Sequence, residues 1–207
     1  MQGTLRHYRR GEVLFSEGDV AERVFVLLHG WVLIRSYAAD GHDVVLGLRG
    51  PGEVLGELSV LDGKPRSATA VAANDATVVV TPARVLLAIL KTDHEATREL
   101  LVLIAERLRE ADRRRLEYTT QDTLARVATR LLELTERFGE PVAGGIRSEL
   151  PLVQEDLARW CGASREATVK ALRTLRGLGV VSTGRRTITV HDAGSLRRIA
   201  RGMAAGE

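Results

Sequence analysis

Between Lys91 and Phe138 the chain has neither glycine nor proline, although 20 glycines and 5 prolines are spread over its 207 residues. These two residues interrupt helices more strongly than any others, so the middle of the chain is committed to helix. A start at Asp93 opens the stretch HEATRELLVLIAERLREADRRRLEYT. Its apolar seam falls at Leu101, Ile104, Leu108, Ala111 and Tyr118, with Arg115 interrupting, and the spacing alternates between three and four residues as in a two-stranded coiled coil. A stripe packed on the chain's own neighbouring domain would give a similar pattern. The length and the charged flanks (Glu106, Arg107, Arg109, Glu110, Arg113, Arg114) favour pairing with a second copy, a homodimer. Asp122 suits the N-cap of a new helix from Thr123 to about Arg137, ended by Gly139 and Pro141. Thr119–Asp122 is then a candidate hinge.

Ahead of this rod the grammar is that of strands. Glu12–Phe15, Val24–Leu28, Trp31–Tyr37, Val44–Leu48, Ala68–Ala72 and Thr77–Val80 lie between turn signals at Gly18-Asp19, Gly30, Asp40-Gly41, Pro51-Gly52, Asp62-Gly63 and Asn74-Asp75. Many short strands at this spacing predict a small antiparallel roll or barrel. At Thr81-Pro82 a capping threonine and a first-turn proline predict a short helix to about Leu90.

Beyond the rod and a glycine-rich loop, PVAGGIRSELP, come helical patterns at Gln154–Cys161 and Arg165–Arg176, joined by Gly162-Ala163-Ser164. Strands at Gly179–Ser182 and Thr187–Val190 follow around Thr183-Gly184-Arg185. Helix, tight turn, basic helix and hairpin compose a winged helix-turn-helix. Leu157, Trp160, Val169, Leu172 and Leu175 supply the packed faces, and Ser164 caps the second helix. Arg165, Glu166, Lys170 and Arg173 remain outward. At the N-terminal end of a helix in the major groove, Arg or Lys can satisfy guanine O6 and N7, and Glu can accept from cytosine N4. Arg185 and Arg186 at the wing tip suit phosphates, which supply affinity without sequence choice.

Charge agrees with this division. Residues 1–121 hold 16 Lys and Arg against 17 Asp and Glu, whereas residues 122–207 hold 14 against 10, and between Arg159 and Arg186 seven basic residues face Glu166 alone. A polyanion partner, double-stranded DNA, is expected for the second half only.

Composition excludes several classes. No apolar run, Leu100 to Ala105 included, is long enough to span a bilayer, and the N-terminal residues lack a secretory apolar stretch, so no membrane partner and a cytoplasmic location are expected. One cysteine, Cys161, permits no intrachain disulfide and no iron–sulfur cluster, and is read as a core residue. His7, His29, His42, His94 and His191 are scattered, which disfavours haem, a metal site or a metal-dependent cupin enzyme. No nucleophile–base arrangement supports an enzyme, and no tightly bound cofactor is expected.

A second constellation lies in the strand-rich half at Gly56-Glu57-Leu58-Ser59, followed by Val60-Leu61-Asp62-Gly63-Lys64-Pro65 and Arg66-Ser67-Ala68. Closely spaced amides after a glycine can make an anion nest, an arginine can fork onto phosphate, and a serine hydroxyl can donate beside it. A carboxylate bonded to a ribose 2′-hydroxyl next to an arginine on a cyclic phosphate would give Glu57 and Arg66 complementary tasks. As a bare pattern the pair is equally an exposed ion pair.

Taken in order, GEVLFSEGD, PGEVLGELSVLDGKPRSATAVA, the long seam helix and EDLARWCGASREATVKAL resemble the cyclic-AMP receptor protein/FNR (Crp/Fnr) superfamily of bacterial transcription regulators over nearly the whole chain. The resemblance implies an α+β fold with three parts. These are an N-terminal antiparallel β-roll, a cupin-like cyclic-nucleotide-binding domain (residues 1–92), a dimerisation helix and hinge (93–121), and a C-terminal winged helix-turn-helix (122–207). It implies a homodimer on a palindromic operator, RNA polymerase as a further partner, and a cyclic nucleotide, cAMP or cGMP, as effector. Carried over by position, Glu57 holds the ribose, Arg66 and Ser67 the cyclic phosphate, and Arg107 braces that pocket. Arg165, Glu166 and Lys170 become the base readers.

The departures are specific. Where cyclic-AMP-binding members offer a hydroxyl pair to adenine, this chain has Ala111 and Asp112. Asp112 can accept from an adenine amino group or from the N1–H and exocyclic amine of guanine, and a preset fold that binds no nucleotide is the third alternative. A regulator with a non-nucleotide effector, or a cyclic-nucleotide-sensing module of an enzyme partner, would share the cassette, but the latter has no use for a basic reading helix. Lys170 replaces the arginine of the best-known member, which turns a bidentate contact into a point charge. Val153 stands where threonine usually caps, and the family's N-terminal helix has no counterpart here.

Overall fold

The computed structural model describes residues 3–37, 43–149, 152–184 and 186–203. The turn expected at Asp40-Gly41, His42 and the wing-tip Arg185 lie outside the described residues. By density of contacts the chain divides into two compact units, residues 1–111 and 112–207.

In the first unit the strands are β1 (Thr4–Tyr8), β2 (Val13–Phe15), β3 (Arg23–His29), β4 (Val32–Tyr37), β5 (Asp43–Arg49), β6 (Val54–Leu55), β7 (Thr69–Ala72) and β8 (Ala76–Pro82). They form two antiparallel four-stranded sheets, ordered β1-β8-β3-β6 and β2-β7-β4-β5. Inward positions of both sheets share one core. Phe25, Leu27, Leu55, Val78 and Val80 from the first meet Leu14, Val32, Ala70 and Ala72 from the second. Each large side chain removed from water here contributes roughly 1.5–3 kcal/mol, which drives the two sheets together.

Several elements of this unit depart from the sequence reading, the two-residue strand β6 among them. β1 escapes detection because TLRHY is an edge strand with Leu5 exposed, held by backbone pairing from Thr4↔Val80 to Tyr8↔Ala76 instead of by an apolar face. The cassette itself contains a helix, α1 (Glu57–Asp62). Thr81 does not cap the next helix: β8 continues through Thr81 to Pro82, which is the N-cap of α2 (Ala83–Thr92). Thr81 is committed to the ladder opposite Val24.

α3 (His94–Thr120) starts where Asp93 Oδ1 accepts from the Ala96 amide at 2.9 Å. Of its seam, Leu101 and Leu108 are each 62% exposed and Ala111 is exposed, whereas Ile104 is half-buried and Tyr118 is turned toward the helix-turn-helix of its own chain. Leu100, by contrast, is buried.

The second unit contains the last turns of α3, then α4 (Thr123–Phe138), β9 (Gly139–Val142), β10 (Gly145–Glu149), α5 (Gln154–Trp160), α6 (Arg165–Gly177), β11 (Val181–Gly184), β12 (Thr187–Val190) and α7 (Ala193–Ala200). Asp122 caps α4, accepting from the Ala125 amide at 2.8 Å. The expected glycine-rich loop is largely strand over residues 141–149. It supplies β9 and β10, which join the wing in a sheet ordered β11-β12-β10-β9. Pro141 is tolerated because β9 is the edge, and Gly145 is required because a Cβ there would come within 2.2 Å of the Val190 carbonyl oxygen. The first wing strand runs Val181–Gly184 instead of Gly179–Ser182, because Gly179 closes the end of α6 through its bond to the Arg176 carbonyl. α4 packs on α6 and α7, and Val127, Leu131, Leu134, Leu157, Trp160, Leu175, Ile188 and Leu196 are all buried.

Candidate effector site and nucleic-acid interface

The cassette folds so that two of its charged residues, Glu57 and Arg66, are inside. Glu57, in the first turn of α1, has a side chain only 2% exposed and accepts from Arg107 of α3. Arg66 is buried as well. Its terminal nitrogens donate to the carbonyls of Gly56 and Arg23, and its guanidinium lies 4.6 Å from the centroid of the Phe15 ring. Burial lowers the Arg66 pKa against the opposing pull of Glu57 and Asp19, as expected for a cation removed from water. Its Nε–H is buried with no partner among the described residues. An unpaired guanidinium donor beside a carboxylate fits an anionic oxygen neighbouring a hydroxyl. Ser59 is buried with its hydroxyl donating to the Pro65 carbonyl at 3.2 Å, while Leu58 and Ser67 are exposed. Ala111 and Asp112 are exposed on α3.

Arg107 is held by more than Glu57. Its Nη2 donates to the Val54 carbonyl at 2.6 Å and lies 3.5 Å from Glu53 Oε2. The same Glu53 oxygen is 3.5 Å from Arg49 Nε, and Arg49 Nη1 is 3.3 Å from Glu110 Oε2, one turn beyond Arg107 on α3. Sequence reasoning gives Arg49 and Glu53 no role here and takes Glu110 only as a charged flank of the seam. Two acid–base spacings, 49/53 and 107/110, were visible, yet nothing in a linear reading brings β5 to that turn of α3.

In the second unit α5 and α6 are joined by the turn at Gly162-Ala163-Ser164. The Ser164 hydroxyl accepts from the Ala167 amide at 3.1 Å, and Arg165, Glu166, Lys170 and Arg173 are exposed on α6. A hydrogen bond from its own backbone amide, then the Ser164 hydroxyl, holds the Glu166 carboxyl below its ordinary range, so the group is a committed acceptor. Val153 offers no side-chain cap to α5. Asp156 compensates from within the first turn by accepting from the Val153 amide at 3.3 Å. Arg186 is exposed at the wing tip with φ 58°.

The turn between α5 and α6 is tied to the end of α3. Gly162 has φ 56°, and a Cβ on it would meet the Tyr118 ring at 2.5 Å. Tyr118 donates to the Trp160 carbonyl at 3.3 Å, and Arg126 donates to the carbonyls of Cys161 and Gln121. Arg130, fully buried, pairs with Glu117 and Glu133 and lies 5.5 Å from the Trp160 ring. Burial works to lower its pKa, but the two carboxylates outweigh it and the cation is reinforced. Glu117 goes the other way, its carboxyl raised chiefly by burial despite Arg130. The expected hinge, Thr119–Asp122, therefore carries a tether: Gln121 also donates to the Ala200 carbonyl at 3.0 Å.

His7 and His29, distant in sequence, converge on one cleft of about 500 Å³ because both oppose Thr77 across adjacent strands. Among the described residues no group of three or more His, Cys, Asp or Glu is arranged to hold a metal ion, and no helix is long and apolar enough to cross a membrane.

A β-roll with a buried Glu–Arg cassette, followed by a long helix and a winged helix-turn-helix with a basic outward face, defines a DNA-binding regulator that carries its own sensor-type domain. Residues 5–93 match the cyclic nucleotide-binding domain and residues 125–199 the Crp-like helix-turn-helix domain. A CRP-like cAMP-activated global transcriptional regulator of Mycobacterium tuberculosis is 32% identical over 94% of this chain and 87% of that protein. The cyclic AMP receptor protein of Thermus thermophilus is 33% identical over 96% of this chain and 89% of that protein. The structure of FixK2 from Bradyrhizobium japonicum superposes with a TM-score of 0.86 at 27% identity, covering 100% of both chains. The chain belongs to the Crp/Fnr superfamily of bacterial transcription regulators.

Proposed function

We propose that this regulator binds a palindromic operator as a homodimer in the cytoplasm, with RNA polymerase as a further partner. Residues 1–92 serve as effector domain, 93–121 as dimerisation helix and hinge, and 122–207 as reading domain. Arg165, Glu166 and Lys170 read base edges. Ser164, Arg173, Arg185 and Arg186 hold phosphates. The observation that carries the reading is the outward set on α6, three long polar side chains clustered at the N-terminal end of a helix whose opposite face is core. The exposed apolar seam of α3 supports self-association, since Leu101 and Leu108 lose unfavourable contact with water by pairing. Arg165→Ala is expected to cost about 1–3 kcal/mol on the preferred operator and to flatten discrimination at one base pair. An equal loss on random DNA overturns base reading by this residue.

The effector is a cyclic nucleotide, with Glu57 on the ribose 2′-hydroxyl, Arg66 and Ser67 on the phosphate, the backbone amides at Gly56, Leu58 and Ser59 lining the anion, and the base near Ala111 and Asp112. Bound ligand shifts the molecule only by as much as it prefers one arrangement over the other. A second reading, a preset regulator that needs no nucleotide, is favoured by one feature: Arg66 and Glu57 already have protein partners. Calorimetry with cAMP and cGMP on the wild type and Arg66→Ala separates the two. Heat with the wild type that disappears in the variant supports the nucleotide reading, and no heat with either nucleotide overturns it in favour of the second.

A further inference from the structure

Five charged side chains of alternating sign run from the effector cassette to the long helix in the order Glu57, Arg107, Glu53, Arg49, Glu110, with Glu53 shared between the two arginines. None is more than about a fifth exposed. Arg49 is held on three sides, by Glu53, by Glu110 and by the Leu48 carbonyl that accepts from Nη1 at 3.2 Å. Gly47 leaves room for it, because a Cβ at that position would stand 2.9 Å from both terminal nitrogens. Glu53 in turn is fixed by accepting from the Gly50 amide at 3.0 Å.

We propose that Arg49, Glu53 and Glu110 are positioning residues for the effector: an ion-pair relay that orients Arg107 and, through it, the Glu57 carboxylate that meets the ribose. This rests on the cyclic-nucleotide reading and adds to it three residues that do not touch the ligand. Arg107 engages Oε1 of Glu57, which leaves the lone pairs of Oε2 for a hydroxyl donor. The direction of those lone pairs depends on where Arg107 stands. Among the described residues, Glu53 and the Val54 carbonyl are the further groups that fix Arg107. Removing Arg49 takes one cation away from Glu53, and removing the Glu110 charge weakens the pull that holds Arg49 away from Glu53, so that Arg49 competes more strongly with Arg107 for it. In a partly buried network of this kind, charges act through their neighbours more strongly than at the surface.

The relay acts on the ribose hydroxyl and not on the phosphate, so the test compares each cyclic nucleotide with its 2′-deoxy form. Binding of cAMP, 2′-deoxy-cAMP, cGMP and 2′-deoxy-cGMP is measured by calorimetry on the full chain, wild type, Glu110→Gln and Arg49→Met, with melting temperature as a check on folding. The wild type is expected to prefer a ribo form by about tenfold, the value of one hydrogen bond to a charged group. In both variants that ratio should fall toward one while 2′-deoxy affinity and melting temperature stay put, and Arg49→Lys should restore part of it. An unchanged ratio in the variants, a wild type that does not discriminate, or an equal loss of ribo and deoxy binding overturns the relay. Absence of binding by the wild type overturns the nucleotide reading and the relay together, and so differs from a failure confined to the variants.

Discussion

Cys161 shows how far burial alone can move a side chain's chemistry. It is fully buried at the end of α5, and its thiol pKa is pushed up to about 12 by burial, against the smaller opposing pull of Arg130 and Arg126. A thiol that keeps its proton in the folded chain and loses it near 8.5 when unfolded adds stability that is fully present below pH 8.5. That contribution is lost as pH rises from there toward 12, by up to about 1.4 kcal/mol per pH unit. Denaturant melts at pH 7, 9 and 10 should therefore fall more steeply for the wild type than for Cys161→Ala; parallel pH dependence refutes the buried protonated thiol. Gly162 allows a second test at the same turn. Gly162→Ala combines a left-handed backbone with a contact into the Tyr118 ring, whereas Gly18→Ala, at φ 87°, meets no atom within 4 Å. The second should cost about 1–2 kcal/mol from backbone strain alone, and the first measurably more in the same unfolding assay. Sequence pattern marks Gly162 as a turn, as it marks Glu57 and Arg66 as a pair. It conceals Arg130, because an arginine inside TLARVATRLLELTERF looks like any solvated helix charge until Glu117, Glu133 and Trp160 are seen around it.

Helices with a clear period and a capping side chain at the start were the most legible elements: α3 from Asp93, α4 from Asp122 and α6 from Ser164 begin where their capping side chains require. Strands were legible when they had an apolar inner face, and illegible when the partner strand supplied the stability. β1 is such a strand, and so are β9 and β10, whose glycines read as loop yet let β10 lie against β12 from Ile146↔Val190 to Glu149↔Thr187. α7 was missed although Asp192 caps it, accepting from the Ser195 amide at 2.9 Å, because its apolar residues Leu196 and Ile199 are too few to show a period. The exposed seam is where α3 makes its own prediction. Leu108→Glu places a charge in a surface that is 62% exposed in the single chain. It should leave the folded protomer intact while shifting it from dimer to monomer in analytical ultracentrifugation. A variant that stays dimeric moves the interface off α3. The cap of α4 is the internal control, since Asp122→Ala should lower stability by about 1 kcal/mol without altering association.

Across the whole chain, charge is divided between the two halves instead of averaged. The first 121 residues are nearly neutral, and the excess of basic residues lies beyond them, concentrated between Arg159 and Arg186. Counterion release ties that distribution to a measurable slope, because each phosphate neutralised by a protein cation contributes about 0.9 to the dependence of log K on log salt concentration. Arg186, exposed on the wing, is expected to hold a phosphate and no base. Arg186→Ala should therefore weaken operator and random fragments by similar factors and lower the slope by about one per protomer, roughly two for a bound dimer. Arg165→Ala should instead weaken the operator more than random DNA, since a base contact distinguishes them. Arg66 is buried in the β-roll with carbonyl partners and an aromatic face, so Arg66→Ala should change any response to nucleotide and leave the salt slope at its wild-type value. Fluorescence anisotropy over a KCl series with one operator and one random duplex measures all three variants. A shallower slope in Arg66→Ala would mean that the first half of the chain also contacts phosphate, and the assignment of the DNA surface to α6 and the wing alone would fail.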